Sequence, residues 1–194
     1  MATFTDVYFA TLPEVMGRRA VYPPERESYI LQATNPQLMR QRYYVWLLLE
    51  DALQQSLGKG LSELNIQKSS RGKWESPFTH FSLAHSNKAL AVAISDMPVG
   101  VDIQKRIEKT TVANCALTEN EWKRFLSAQH QSELLTELWT KKECLFKTTD
   151  ALRFIPKEIE TQQAFTQTEW LEIDGERYAL STTSPIRKLQ QIIL

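Results

Sequence analysis

Trp139, Glu143 and Lys147 stand four residues apart in the stretch LWTKKECLFK, residues 138–147. On a helix such positions share one face. An acid and a base one turn apart allow two chemistries. They form a surface ion pair worth ~0.3–0.5 kcal/mol, or, with Trp139 and Phe146 covering that face, they look into a cleft that holds a metal or a phosphate. Asp102 raises a second question, because it lies inside the apolar run Val99-Gly100-Val101-Asp102-Ile103. A carboxylate buried there needs a cation or hydrogen-bond donors. The alternative is the two-residue period of a strand, which turns Val101 and Ile103 to the core and Asp102 and Gln104 to water. Gly100 points to a close backbone approach.

Cations supply the other half of the chemistry. Arg71-Gly72-Lys73, with Lys68 before it, makes a small basic loop. Glycine lets the backbone approach an anion, and two or three cations hold a phosphate; otherwise the loop is simply solvated. Arg40 and Arg42, on a long helix, have the same two readings. His85 and Ser86 close a strand and precede a turn, a position open to ligand contact. Cys144 is a poor nucleophile, since the neighbouring Glu143 charge raises a thiol pKa.

These residues need elements to hold them. The run 3–10 alternates as a strand, 22–36 reads as loop, and Asn35-Pro36 caps a helix that runs to Gly58. Residues 61–75 are polar and mixed. Apolar runs at 78–83, 89–95 and 99–103, separated by short turns, predict an antiparallel meander. Thr118-Glu119-Asn120-Glu121 is a capping box, and a longer helix from about residue 132 to 149 carries the opening stripe. Asp174-Gly175 between two alternating runs predicts a hairpin, and 186–194 a last strand. The order is α+β, without strict strand–helix alternation.

The chain has 194 residues, 42% of them hydrophobic, with 23 basic and 23 acidic side chains. That balance argues against a nucleic-acid or anionic-membrane coat. The two cysteines, Cys115 and Cys144, cannot build a structural zinc site alone. No leader pattern opens the chain, and the apolar run 43–49 is far below the roughly 20 residues a membrane helix needs. The expectation is a cytoplasmic protein with reduced thiols, free of nucleic acid and membrane.

Taken in order, Gly72-Lys73, Phe81-Ser82-Leu83-Ala84-His85-Ser86, Val99-Gly100-Val101-Asp102 and Trp139-Thr140-Lys141-Lys142-Glu143-Cys144-Leu145-Phe146-Lys147 resemble the motifs of the 4′-phosphopantetheinyl transferase superfamily, of the Sfp type. The resemblance implies transfer of the phosphopantetheine arm of coenzyme A to a serine of an acyl, peptidyl or aryl carrier protein, with adenosine 3′,5′-bisphosphate leaving. It implies Mg²⁺ held by Asp102 and Glu143, with Gln104 where many members have an acid, and it makes Glu143 the acceptor of the serine proton. Lys147 would hold the phosphate that receives charge. Arg42, Lys68, Lys73, His85 and Ser86 would grip coenzyme A. The implied fold is a monomer built as a pseudo-dimer of two similar halves, 1–95 and 96–194, each a long helix on a small antiparallel sheet, with the ligand cleft between. A carrier-docking surface near 150–165, using Phe154, Ile155 and Ile159, is a further expectation. Gln104 and Ala84, which replaces a serine before the histidine, keep a non-catalytic coenzyme A or carrier-protein binding module open as the alternative.

Overall fold

The computed structural model describes residues 4–15, 17, 22–70 and 72–194; Thr3, at the start of the expected first strand, and Arg71 of the basic loop lie outside them. Among the described residues nine strands and five α-helices follow one another. They are β1 (Thr5–Thr11), α1 (Pro24–Leu31), α2 (Pro36–Leu57), β2 (Gln67–Lys68), β3 (Trp74–Glu75), β4 (His80–Ser86), β5 (Ala89–Ser95), β6 (Val101–Lys105), α3 (Ala113–Ala116), α4 (Glu119–Ser127), α5 (Gln131–Thr148), β7 (Gln167–Ile173), β8 (Glu176–Thr182) and β9 (Lys188–Gln191). The α+β expectation therefore holds.

Local chemistry explains most of these boundaries. The Asn35 side chain accepts the Leu38 amide at 2.8 Å, and Gly58 ends α2 in the left-handed region at φ 67°. Thr118 and Glu121 make both bonds of a capping box at the start of α4. Asp174 and Gly175 both have positive φ, 52° and 72°, as the tight β7–β8 turn demands.

Two expectations are corrected. The stretch expected as loop contains α1, which starts at Pro24 with Glu25 and Glu27 in its first turn, where proline and acids are favourable. The expected meander stops after two strands. β4 and β5 pair as a hairpin, but β1 takes the other edge of β5, giving the order β4-β5-β1-β9. β6 instead opens a second sheet, β6-β8-β7. β2 and β3 form a small separate ribbon.

Strand β5 shows how the layers meet. All seven of its residues are buried, so both faces are covered. Leu90, Val92 and Ile94 join the α2 side chains Trp46, Leu49 and Leu53 in one core. Ala89, Ala91 and Ala93 face the other way, into a second core with Val101, Ile103, Tyr178 and Leu180. The small alanines let the second sheet approach closely. Ser82 and Ser86 of β4 accept the Val101 and Lys105 amides at 3.0 and 3.2 Å, tying β4 to β6 through side chains rather than a backbone ladder. Near the chain's end, β9 returns to pair in parallel with β1, and Arg187 forms a double bond pair with the buried Asp6.

Candidate functional site

Asp102 does not face water. Val101 and Ile103 point into the second core, so the strand's alternation turns Asp102 toward α5, where it is 8% exposed. Its partner is Lys147. The Lys147 ammonium sits 3.0 Å from an Asp102 carboxylate oxygen and donates to the Val101 carbonyl at 2.8 Å. Thus Lys147 pairs across to β6 and not along its own helix with Glu143, which sets aside the surface ion pair. The close approach is enforced at Gly100: a Cβ there would lie 2.1 Å from the Cys144 carbonyl oxygen of α5. No side chain fits, which is why the strand enters with glycine.

Glu143 is half-buried and has no hydrogen-bond or ion-pair partner among the described residues. Burial raises its pKa to about 7, the Asp102 charge adds to that rise, and Lys147 opposes it. Asp102 is raised as well, by burial, against the pull of Lys147. Lys147 stays protonated: burial works against its charge, but Asp102 outweighs it. Gln104 shares the Asp102 face of β6 and donates its amide to the Lys105 carbonyl at 3.0 Å. Cys144 is buried against the Ser181 carbonyl, and its thiol is raised well up, by burial first and then by Asp102, with Glu143 a smaller contributor. It is no nucleophile.

A second cluster lies on the α2 side of β4. Phe81 and Leu83 pack in the first core, and His85 follows them on the same face. Burial lowers the His85 pKa to about 4, and the charges of Lys147, Arg26 and Arg42 lower it further. Arg26, from α1, is 3% exposed, lies over the Trp46 ring at 4.9 Å and donates to the Arg42 carbonyl. Arg42, from α2, stacks on Tyr29 at 3.9 Å and donates to the Tyr29 carbonyl at 2.6 Å. Lys68 approaches the same Tyr29 ring at 5.8 Å. Both arginines keep a buried Nε without a hydrogen-bond partner, and neither has a carboxylate within ion-pair distance among the described residues. Two guanidinium charges without a carboxylate partner leave this region positive, which favours an anion nearby.

The sequence reading placed Arg42, Lys68 and His85 together, and the structure groups them. It separates Arg40, which turns to the Glu14 carbonyl at 2.6 Å. Ser86 is engaged with β6, as described. Lys73 stands apart, donating to the carbonyls of Lys147 and Thr149 at the end of α5. Arg26 was missed because its helix was missed. Its signal was the Arg26–Ile30 spacing, since these are the two residues α1 buries. A cleft of about 410 Å³ is lined by Lys73, Trp74, Phe81, Ser82, Val99 and Lys147, so of the groups described here it reaches Lys73 and Lys147.

The motif lysine beside Glu143 has a different task. Lys142 is fully buried, pairs with Glu121 at 2.6 Å and donates to the Pro156 and Ile159 carbonyls. It thereby fixes the segment after α5. In that segment Ile155 is exposed, as expected. Phe154 is half-buried instead, because it packs between Trp139 and Phe146, and Ile159 is half-buried too; Leu152 and Phe165 are exposed along with Ile155.

Comparison with known proteins adds to this geometry. The family model of the 4′-phosphopantetheinyl transferase superfamily matches residues 98–191, the part that contains β6 and α5. The chain is 32% identical over 117 residues to the 4′-phosphopantetheinyl transferase gsp of Aneurinibacillus migulanus, covering 57% of this chain and 48% of that protein. It is 35% identical over 77 residues to the 4′-phosphopantetheinyl transferase psf-1 of Bacillus pumilus, covering 38% of this chain and 33% of that protein. The matches thus span about half or less of these relatives.

Proposed function

From the match of residues 98–191 to the 4′-phosphopantetheinyl transferase superfamily, we propose that the chain is a member of that superfamily and transfers the phosphopantetheine arm of coenzyme A to a serine of an acyl or peptidyl carrier protein. The observation that carries this reading is Lys147, which lies between the two clusters: it bonds Asp102 on one side and its charge bears on His85 on the other. A diphosphate needs such a neighbourhood, with anion-binding groups next to a proton acceptor.

In this reading the positive charge of Arg26 and Arg42 attracts a phosphate of coenzyme A, with Lys68 and His85 beside them. Lys147 steadies the phosphoryl group under attack. The carrier serine oxygen forms a new bond to that phosphorus, the pyrophosphate P–O bond breaks, and adenosine 3′,5′-bisphosphate departs with the bond's electron pair. Glu143, unpartnered and titrating near neutrality, takes the serine proton. Mg²⁺ fits the donor set: the oxygens of Asp102, Glu143 and the Gln104 amide are hard ligands, and such ions commonly bind one or two carboxylates together with substrate phosphates. When bound it would neutralise charge on the diphosphate. The two-half organisation, 1–95 and 96–194, with β9 lent back to the first sheet, belongs to the same proposal. So does a cytoplasmic monomer, supported by balanced charge and two free cysteines.

The test is direct. Incubation with coenzyme A, Mg²⁺ and a panel of apo carrier proteins adds one phosphopantetheine mass to a carrier, read by intact-protein mass spectrometry. Absence of any mass gain across the panel, together with no binding of coenzyme A by calorimetry, rejects the reading.

A further inference from the structure

Lys73, a basic residue of the resembling motifs, is set by the structure against the end of a helix to which it does not belong. Its ammonium donates to the Lys147 carbonyl at 3.0 Å and to the Thr149 carbonyl at 2.6 Å. The last carbonyls of a helix have no partner within it, and a cation there also meets the negative end of the helix dipole. The loop that delivers Lys73 is itself held. Gly72 adopts φ 80°, the Gly72 amide bonds the Ser69 carbonyl at 2.9 Å, and Ser69 bonds the Lys73 carbonyl at 2.7 Å. Trp74, next in sequence, stacks edge-on against Trp46 of α2, with ring centroids 5.2 Å apart. The contact therefore runs from the core of the first sheet's helix to the final turn of α5, across the mouth of the cleft that Lys73 and Lys147 both line.

Lys147 is thus fixed at both ends. Its carbonyl is held by Lys73 and its ammonium by Asp102 and Val101. We propose that Lys73 is a positioning residue, a clamp on the last turn of α5 that keeps the Lys147 ammonium aimed at Asp102 and the cleft, and that it is not a grip on the ligand. Its consequence for turnover rests on the transferase reading; the clamp itself does not.

The test uses Lys73→Met, which keeps side-chain length and removes the donors, and Lys73→Arg, which keeps a cation. Amide hydrogen exchange is read over residues 145–151 in the ligand-free protein, and coenzyme A binding is measured by calorimetry. In Lys73→Met, exchange in the last turn of α5 quickens about tenfold, the order expected for losing a partly buried cation at a helix C-terminus, while affinity for coenzyme A changes less than about threefold. Where transfer is observed, kcat falls and KM holds, and Lys73→Arg recovers part of both the protection and kcat. Unchanged exchange in the last turn overturns the clamp. So does a loss of affinity near 100-fold with protection intact, which would make Lys73 a ligand contact. If no carrier is modified by the parent protein, the transferase reading fails, yet the exchange measurement still decides the clamp.

Discussion

The clusters around His85 and around Asp102 bury charge in opposite ways. The first gathers Arg26, Arg42 and His85 from α1, α2 and β4 and balances them with aromatic faces and backbone carbonyls. Among the described residues no carboxylate lies within ion-pair distance of its arginines, so their charge is left for something else to neutralise. The second sets Asp102, Glu143 and Lys147 together from β6 and α5, and it neutralises most of its own charge. A cluster with standing positive charge provides affinity for an anion before any reaction. A cluster with a proton-ready carboxylate beside a held ammonium provides little affinity but can change its protonation as charge moves. The contrast assigns binding to one region and turnover to the other.

Glu143→Gln gives the largest effect and tests that division most severely. The amide keeps size and hydrogen bonding but accepts no proton at neutral pH. Carrier modification falls ~10²–10⁴-fold, the usual contribution of a general base, with coenzyme A affinity within a few-fold of the parent and the melting temperature at pH 7 equal or higher, since the amide removes a carboxyl whose charge burial disfavours. Without metal the Glu143 carboxyl titrates at about 7; Mg²⁺ held beside it favours the ionised form, so kcat/KM in the Mg²⁺-loaded parent rises with pH and levels below 7. Loss of coenzyme A affinity in step with the rate would erase the division, because Glu143 would then be a binding residue.

Arg26→Met probes the other region and has a smaller effect. Losing a charge-assisted contact to a phosphate weakens coenzyme A binding about 10–100-fold in calorimetry, while kcat at saturation changes little. The ligand-free protein melts at the same temperature or higher, since an apolar residue of similar length replaces a buried guanidinium that has no carboxylate partner among the described residues. A fall in melting temperature without loss of affinity would make Arg26 a structural residue of the α1–α2 packing.

How far the sequence revealed these regions follows from how each is built. The residues of the acid cluster could be picked out from local pattern: Asp102 as a carboxylate inside an apolar run, although strand alternation alone turned it to water, and Glu143 and Lys147 by four-residue spacing. The cation cluster was half readable. Lys68 and His85 stood out near turns and Arg42 on the long helix, but Arg26 depends on an eight-residue helix whose start signal, Pro23-Pro24-Glu25, also reads as loop. The meander failed for a related reason. Local spacing shows that β4, β5 and β6 are strands, yet only the distant β1 determines which edge of β5 is free. Similarly, the roles of Lys142 and Lys73 were hidden, because their partners are backbone carbonyls, and carbonyls leave no mark on a residue pattern.

His85 gives the subtlest measurement and joins the two regions in one titration. Its pKa in the folded protein, about 4, lies below the ordinary value of 6.5, so between those values the unfolded chain takes up a proton that the folded protein refuses. Stability is therefore lost as pH falls from about 6.5 toward 4. Asp6 and Glu121, both held below their ordinary values on balance, lose stability in acid as well, so the informative quantity is the difference between parent and His85→Gln. That difference in melting temperature narrows as pH drops through this window, with the variant losing less. A phosphate seated against Arg26 and Arg42 reverses the field that His85 feels, so coenzyme A raises its titration midpoint, seen directly in the imidazole resonances by NMR. An unmoved midpoint at saturating coenzyme A would mean that no phosphate lies beside His85, and the cation cluster would have to be assigned to some other anion.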